Sequence, residues 1–181
     1  MNKFFLIIFL FLFSTLKAEI VEEIVIEGNK RVSDETVKLY GEVELKKDYQ
    51  ENDINRVLKN LYETNFFENV TVELNNKILK ITLREYPVIN QLVIVGEKSN
   101  KFREEIKKII KLKENRSFVK SFLAKDLERI NSLYSSLGYN FSKVEAKVKE
   151  LDNQNIDLVL EIDRGKITKI SSINFIGNNN I

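Results

Sequence analysis

The chain has 181 residues, room for one ordinary domain or two small ones, and its 43% hydrophobic and 31% charged content excludes disordered and collagen-like classes. Cysteine and histidine are both absent, which excludes disulfides, thiolate nucleophiles, imidazole bases and the usual zinc ligands together. Lys3 and Lys17 are the only charges in the first eighteen residues; beyond them 27 basic residues balance 27 acidic ones, so no net charge draws the chain to nucleic acid.

After Lys3 come ten unbroken apolar residues at 4–13, then the polar or small Ser14, Thr15 and Ala18. This is a signal-peptide layout, shorter than the about 18 to 20 apolar residues of a membrane-spanning helix. Residues 1–18 are expected to be removed after Ala18, although Leu16 stands where a small residue is preferred. No cysteine follows to carry a lipid.

Three segments then share alternating apolar residues ending in glycine: Ile24-Val25-Ile26-Glu27-Gly28-Asn29, Leu92-Val93-Ile94-Val95-Gly96 and Ile173-Asn174-Phe175-Ile176-Gly177-Asn178. The glycines are 68 and 81 positions apart, and a strand-then-glycine recurring at such spacing marks one supersecondary unit per repeat.

In the first unit Ser33 is placed to cap a short helix reaching Tyr40, with Asp34 and Glu35 in its first turn and Val32 stapled to Val37. A loop at 46–48 leads to a second helix. There Ile54, Val57, Leu58, Leu61 and Tyr62 form one apolar face, and Asn65 is placed for a left-handed stop. Two strands close the unit, 68–74 and 77–85, joined at Asn75-Asn76.

The second unit repeats the order. One helix carries Phe102, Ile106, Ile109 and Ile110, a longer one carries Leu123, Leu127, Ile130, Tyr134 and Leu137, and Gly138 takes the stop position. Strands 141–150 and 156–162 complete it, and a strand at 166–176 opens a third unit that stops short of its partner strands. The expected organisation is a signal peptide at 1–18, modules at 19–87 and 88–165, and the first strand of a truncated third module at 166–181. The short junctions, Tyr86-Pro87 and Asp163-Arg164-Gly165, suit an articulated rod.

The last strand of each unit is the most continuously apolar and is expected at the sheet centre. The strand before it alternates Val144, Ala146 and Val148 with Lys143, Glu145, Lys147 and Lys149, as a charged edge does. Each module is thus an α+β unit: a three-stranded mixed sheet with two helices on one face.

Leu61-Tyr62-Glu63-Thr64-Asn65-Phe66-Phe67-Glu68-Asn69-Val70 resembles the close of the second helix in the first POTRA module of the BamA family of outer-membrane protein assembly factors. Ser132-Leu133-Tyr134-Ser135-Ser136-Leu137-Gly138-Tyr139 is similar to the corresponding stretch of the second module, and Glu85-Tyr86-Pro87 with Ile89 to the junction between modules. The likeness runs over 19–181, with Asn65 for the usual glycine and Glu97 for the asparagine after the turn. It implies a periplasmic scaffold at the cell outer membrane that receives unfolded outer-membrane proteins from a periplasmic chaperone. It also implies accessory assembly lipoproteins as partners, and a C-terminal transmembrane barrel that this chain lacks, so the chain reads as a fragment.

The physical device implied is β-augmentation, an extended client adding a strand to an open sheet edge. The candidate positions are Thr71, Val72 and Glu73 in the first module and Lys143, Val144, Glu145, Ala146 and Lys147 in the second. The bland reading is that these are ordinary charged edges protected from pairing. Tyr62, Phe66 and Phe67 fit a core better than a client patch, and seven basic residues against three acids at 101–116 fit a solvated helix face. The enzymatic alternative is an exported hydrolase using Asp152 and Asp157, but these flank a turn at Asn153-Gln154-Asn155 that explains them on its own. No catalytic residue, metal or cofactor is expected. The remaining alternatives are the POTRA region of a two-partner secretion transporter, of a translocation-and-assembly relative, or of a cell-division protein.

Overall fold

A computed structural model describes residues 19–174 and Ile176. The signal-peptide reading of 1–18 and the turn expected at Gly177-Asn178 lie outside the described residues. The chain divides into two compact units between Glu85 and Tyr86.

The first unit contains β1 (Glu19–Ile20), β2 (Glu23–Glu27), α1 (Asp34–Gly41), β3 (Asp48–Tyr49), α2 (Glu51–Glu63), β4 (Phe67–Asn75) and β5 (Ile78–Glu85). Ser33 caps α1, its hydroxyl accepting the Thr36 N–H at 3.2 Å, and Asp34 and Glu35 complement the positive end of the helix. Asn65 ends the α2 region at φ 57°, the left-handed stop expected of it. The main sheet has the order β2-β5-β4, with β5 central, parallel to β2 and antiparallel to β4. Val37, Val57, Leu61, Phe67, Leu79 and Ile81 fill the space between helices and sheet.

The hairpin turn is displaced by one residue from its expected place. Asn75 pairs with Ile78, so Asn76 and Lys77 form the two-residue turn, both at positive φ (50° and 67°). That conformation matches the right-handed twist of the flanking strands; asparagine adopts it readily at 76, while Lys77 adopts it at a conformational cost. The loop expected at 46–48 also differs, because Asp48 pairs with Ile20 in a two-stranded sheet of β1 and β3. Two-residue strands carry no periodicity to read.

The second unit contains β6 (Val88–Val95), α3 (Asn100–Ile109), α4 (Lys120–Ser136), β7 (Lys143–Glu150), a single 3-10 turn (Asp152–Gln154) and β8 (Asn155–Asp163). Its sheet order is β6-β8-β7, again with the last strand central, parallel to the first and antiparallel to the edge. Ile89, Ile106, Ile130, Tyr134, Leu158 and Leu160 form its core. Leu137, expected on the apolar face of α4, instead lies at the helix end and is exposed.

The recurring glycine has one cause in both modules. Gly28 (φ 89°) and Gly96 (φ 84°) end β2 and β6 in a left-handed conformation, and a Cβ at either would overlap the carbonyl oxygen of Leu83 or Ile162 on the central strand. The strand expected at 166–176 is not seen as one: residues 164–174 take no regular structure. Thr168 donates its N–H to the Gly138 carbonyl at 2.8 Å. A strand without a neighbour leaves its backbone groups unpaired, and no partner strand is present among the described residues.

Candidate functional site

In each module the connector between the helices covers only the beginning of the sheet's first strand, at Val21 just before β2 in one and at Ile89 and Leu92 of β6 in the other. The Val21 N–H donates to the Lys47 carbonyl (3.0 Å) and the Lys46 N–H to the Val21 carbonyl (2.8 Å). In the second module the Ile89 N–H donates to the Arg116 carbonyl (2.9 Å), the Asn115 N–H donates to the Ile89 carbonyl (2.8 Å), and the Glu114 carboxylate accepts the Leu92 N–H (3.0 Å). The connector between the two helices thus occupies the β1–β2 side of one module and the β6 side of the other. β4 and β7 lie at the opposite edges, with no strand beyond them among the described residues.

In an antiparallel pair the backbone groups of successive residues point alternately to the partner and away from it. On β7 the phase follows from the Leu151 N–H, which donates to the Asn155 carbonyl (2.9 Å). Counting back by twos, Lys149, Lys147, Glu145 and Lys143 turn their backbones to β8. Val144, Ala146, Val148 and Glu150 turn theirs outward. On β4 the phase is set by Val70, whose N–H and carbonyl both meet the Tyr62 hydroxyl instead of β5, so Val72 and Leu74 also point outward.

The eight candidate positions are therefore on edge strands but divide in two. Val72, Val144 and Ala146 present outward backbone groups. Thr71, Glu73, Lys143, Glu145 and Lys147 have theirs engaged by the central strand and offer only exposed side chains on the outer face. Lys147 is paired there with Glu161 at 2.7 Å. Leu74, Val148 and Glu150, absent from the sequence-based set, belong to the outward row, and a two-residue count from the hairpin turn identifies them.

Of the aromatic trio, Phe67 is fully buried and Phe66 is half-buried edge-to-face between Tyr40 and Phe67, as expected of core. Tyr62 departs from that reading. It is 44% exposed, and its hydroxyl accepts the Val70 N–H at 3.1 Å and donates to the Val70 carbonyl at 3.4 Å. Within the basic stretch, Lys107 pairs with Glu104 (3.0 Å) and Lys108 with Glu105 (2.8 Å), one helical turn apart on an exposed face. Asp152 opens the 3-10 turn, while the Asp157 carboxylate accepts an Asn90 side-chain N–H at 2.8 Å. Among the described residues no group of three or more carboxylates is placed to hold a metal ion, and no helix is long and apolar enough to cross a membrane.

Three buried carboxylates hold the loops around the sheets. Glu85 Oε1 accepts the N–H groups of Lys30, Arg31 and Val32 (2.8, 2.9 and 3.0 Å), and its Oε2 lies 2.9 Å from Arg31 Nε. Burial alone would raise its pKa. The three amides and then the Arg31 charge outweigh burial and hold it below the ordinary glutamate value. In the second module Asp126 accepts the Lys111 and Leu112 amides and pairs with Arg129 (2.6 Å).

Glu97 accepts the Tyr134 hydroxyl (2.5 Å) and the Ser99 N–H (2.7 Å), with Arg164 3.8 Å away. Burial opposes its charge, but the tyrosine, the amide and Arg164 together hold its pKa below the usual range. Burial first, and then Glu97, pushes the Tyr134 hydroxyl up. The glutamate standing where asparagine was expected is thus a buried anchor for the residue that leaves β8.

Residues 87–165 match the POTRA family model, described as a surface antigen variable number repeat. The chain is 31% identical over 169 residues to the outer membrane protein assembly factor BamA of Neorickettsia risticii (strain Illinois), covering 93% of this chain and 23% of that protein. It is 30% identical over 161 residues to the outer membrane protein assembly factor BamA of Neisseria meningitidis serogroup B, covering 87% of this chain and 20% of that protein. The chain thus spans about a fifth to a quarter of the length of these curated relatives. In fold it is similar to the N-terminal domain of Omp85 from Thermosynechococcus elongatus, with a TM-score of 0.52 at 17% identity, covering 87% of this chain and 73% of that one.

Proposed function

The chain is a POTRA region of the BamA family, and from that premise we propose that it serves as the periplasmic arm of an outer-membrane β-barrel assembly factor, receiving extended clients by strand addition at a sheet edge. The observation that carries this reading is the outward backbone row of Val144, Ala146, Val148 and Glu150 on β7, with no strand beside it among the described residues. Such a row binds main chain with little regard for sequence. It suits clients whose strands share only an alternation of apolar and polar residues, as barrel strands do.

An added strand would place alternate side chains beside the half-buried Val144 and Ala146 and the exposed Val148, and the rest beside Lys143, Glu145, Lys147 and Lys149. The clients in this reading are unfolded outer-membrane proteins handed over by a periplasmic chaperone. Accessory lipoproteins and a barrel in the outer membrane complete the assembly. No catalytic step is assigned.

Proline at Glu145 would be the wrong probe, because that amide faces β8 and its loss breaks the sheet itself. Val148→Pro removes an outward donor at an exposed position, as an edge strand tolerates, and Val148→Ala is the control that keeps the amide. A barrel-strand peptide should bind the alanine variant as it binds the parent and bind the proline variant at least roughly fivefold more weakly, the worth of one hydrogen bond. Equal binding by a folded proline variant would remove β7 as the receiving edge.

A further inference from the structure

The two modules share a topology but not an edge. Aligning them on the glycine that ends the first strand makes Leu83 equivalent to Ile162, and through the pairings Val70↔Leu83 and Val144↔Ile162 it makes Val70 equivalent to Val144. Aligning them on the left-handed helix stop makes Asn65 equivalent to Gly138, and Tyr62 equivalent to Ser135. In the first module Tyr62 reaches across from α2 and satisfies both outward groups of Val70. In the second module the equivalent residue is an exposed serine, whose hydroxyl sits one bond beyond Cβ and cannot span the distance a phenol does. The neighbouring Tyr134 points inward to Glu97.

We propose that Tyr62 is a latch that closes the β4 edge and thereby directs strand addition to β7; this rests on the strand-addition reading above. Three observations support it. The latch occupies the first of the three outward residues on β4, leaving only Val72 and Leu74 before the Asn76-Lys77 turn. β7 offers four outward residues in an uninterrupted row. The Tyr62 hydroxyl also stands at the β4 margin, in the place that a partner group of an incoming backbone would take. A strand adding to β4 exchanges an existing pair of hydrogen bonds at Val70 for new ones and gains nothing there, whereas on β7 every outward group gains a partner.

The test uses the full chain, isotope-labelled for amide-resolved NMR, with a synthetic peptide of alternating valine and glutamate or serine as the extended ligand. In the parent, the Ala146 and Val148 amides should shift and gain exchange protection on saturation while Val72 and Leu74 do not respond. Tyr62→Phe should add a response at Val72 and Leu74, with affinity at β4 rising roughly tenfold, and leave β7 binding unchanged. Without any variant or peptide, the Val70 amide should exchange more slowly than that of Val72, which keeps the latch testable if the phenylalanine variant fails to fold.

Equal response of β4 and β7 in the parent overturns the latch, as does a silent β4 in a folded Tyr62→Phe variant that still binds at β7. In either case strand addition itself survives. Response at β2 or β6 alone overturns the latch and β7 as the receiving edge, and response at no edge overturns strand addition as well.

Discussion

Glu85 is a buried acceptor for the 30–32 loop, and its removal has a calculable cost. Glu85→Ala leaves three amides of the 30–32 loop and the Arg31 guanidinium without the acceptor they share, at a side chain that is 1% exposed. Hydrogen bonds to a charged group are worth about 1.5–3 kcal/mol each. The amides are only part-buried, so water recovers a share, and the net loss is about 3 kcal/mol, the low end of breaking a buried charge pair. For a module of this size that lowers Tm by roughly 12–24 °C.

Glu85→Gln keeps one acceptor oxygen and should lose about half as much. The pH dependence has a definite sign. Because the folded-state pKa is depressed, the stabilisation from this group is complete above the unfolded glutamate value of about 4.3 and is lost as pH falls through the folded value. The parent should therefore lose first-module stability over that acid window, and the glutamine variant should lack this component. Thermal unfolding followed at amides of 23–85, from pH 3 to 7 (roughly the carboxylate range), reads both effects. A shift in Tm under about 4 °C for the alanine variant, or identical acid profiles for parent and glutamine variant, would refute the reasoning.

Three further outcomes are expected. Gly96→Ala, which forces a Cβ into the Ile162 carbonyl at φ 84°, should destabilise the second module by about 2–4 kcal/mol, read as a lower urea midpoint at unchanged slope. A strand peptide with glutamates facing Lys143, Lys147 and Lys149 should bind several-fold more tightly than its lysine counterpart, and added salt should narrow the gap. N-terminal sequencing of periplasmic material should begin at Glu19; finding Met1 retained at the inner membrane would instead favour an anchored protein.

What could be read from the residues follows a physical division. The strand-then-glycine repeat was legible because only glycine tolerates both the positive φ and the close approach to the central strand, so Gly28 and Gly96 mark the same event twice. The central positions of β5 and β8 were legible because strands buried by neighbours on both sides lose their polar alternation.

Long-range polar economy was not legible. Glu85, Glu97 and Asp126 look like surface acids in the sequence, since nothing local reveals that the distant 30–32 amides, the Tyr134 hydroxyl and the 111–112 amides will converge on them in turn. The pairing of β1 with β3 depends on the same kind of distant contact. At the candidate edges the strands could be named, but not the phase of their backbones. Sequence alternation shows which side chains face the helices; the direction of each N–H depends on which residues form the hydrogen-bonded pairs with the partner strand. Tyr62 was misplaced for a related reason: helical spacing put it on the apolar face, and only the fold brings its hydroxyl to Val70.

The central claim is that β7 receives an extended polypeptide through its outward backbone row, and amide hydrogen exchange of the intact chain tests it most directly. With a saturating unfolded outer-membrane barrel segment, the amides of Val144, Ala146 and Val148 should become protected. Those of Glu145 and Lys147, already bonded to β8, should change little, giving an alternating footprint along one strand. Protection without that alternation, or none on β7 at saturation, would contradict the account.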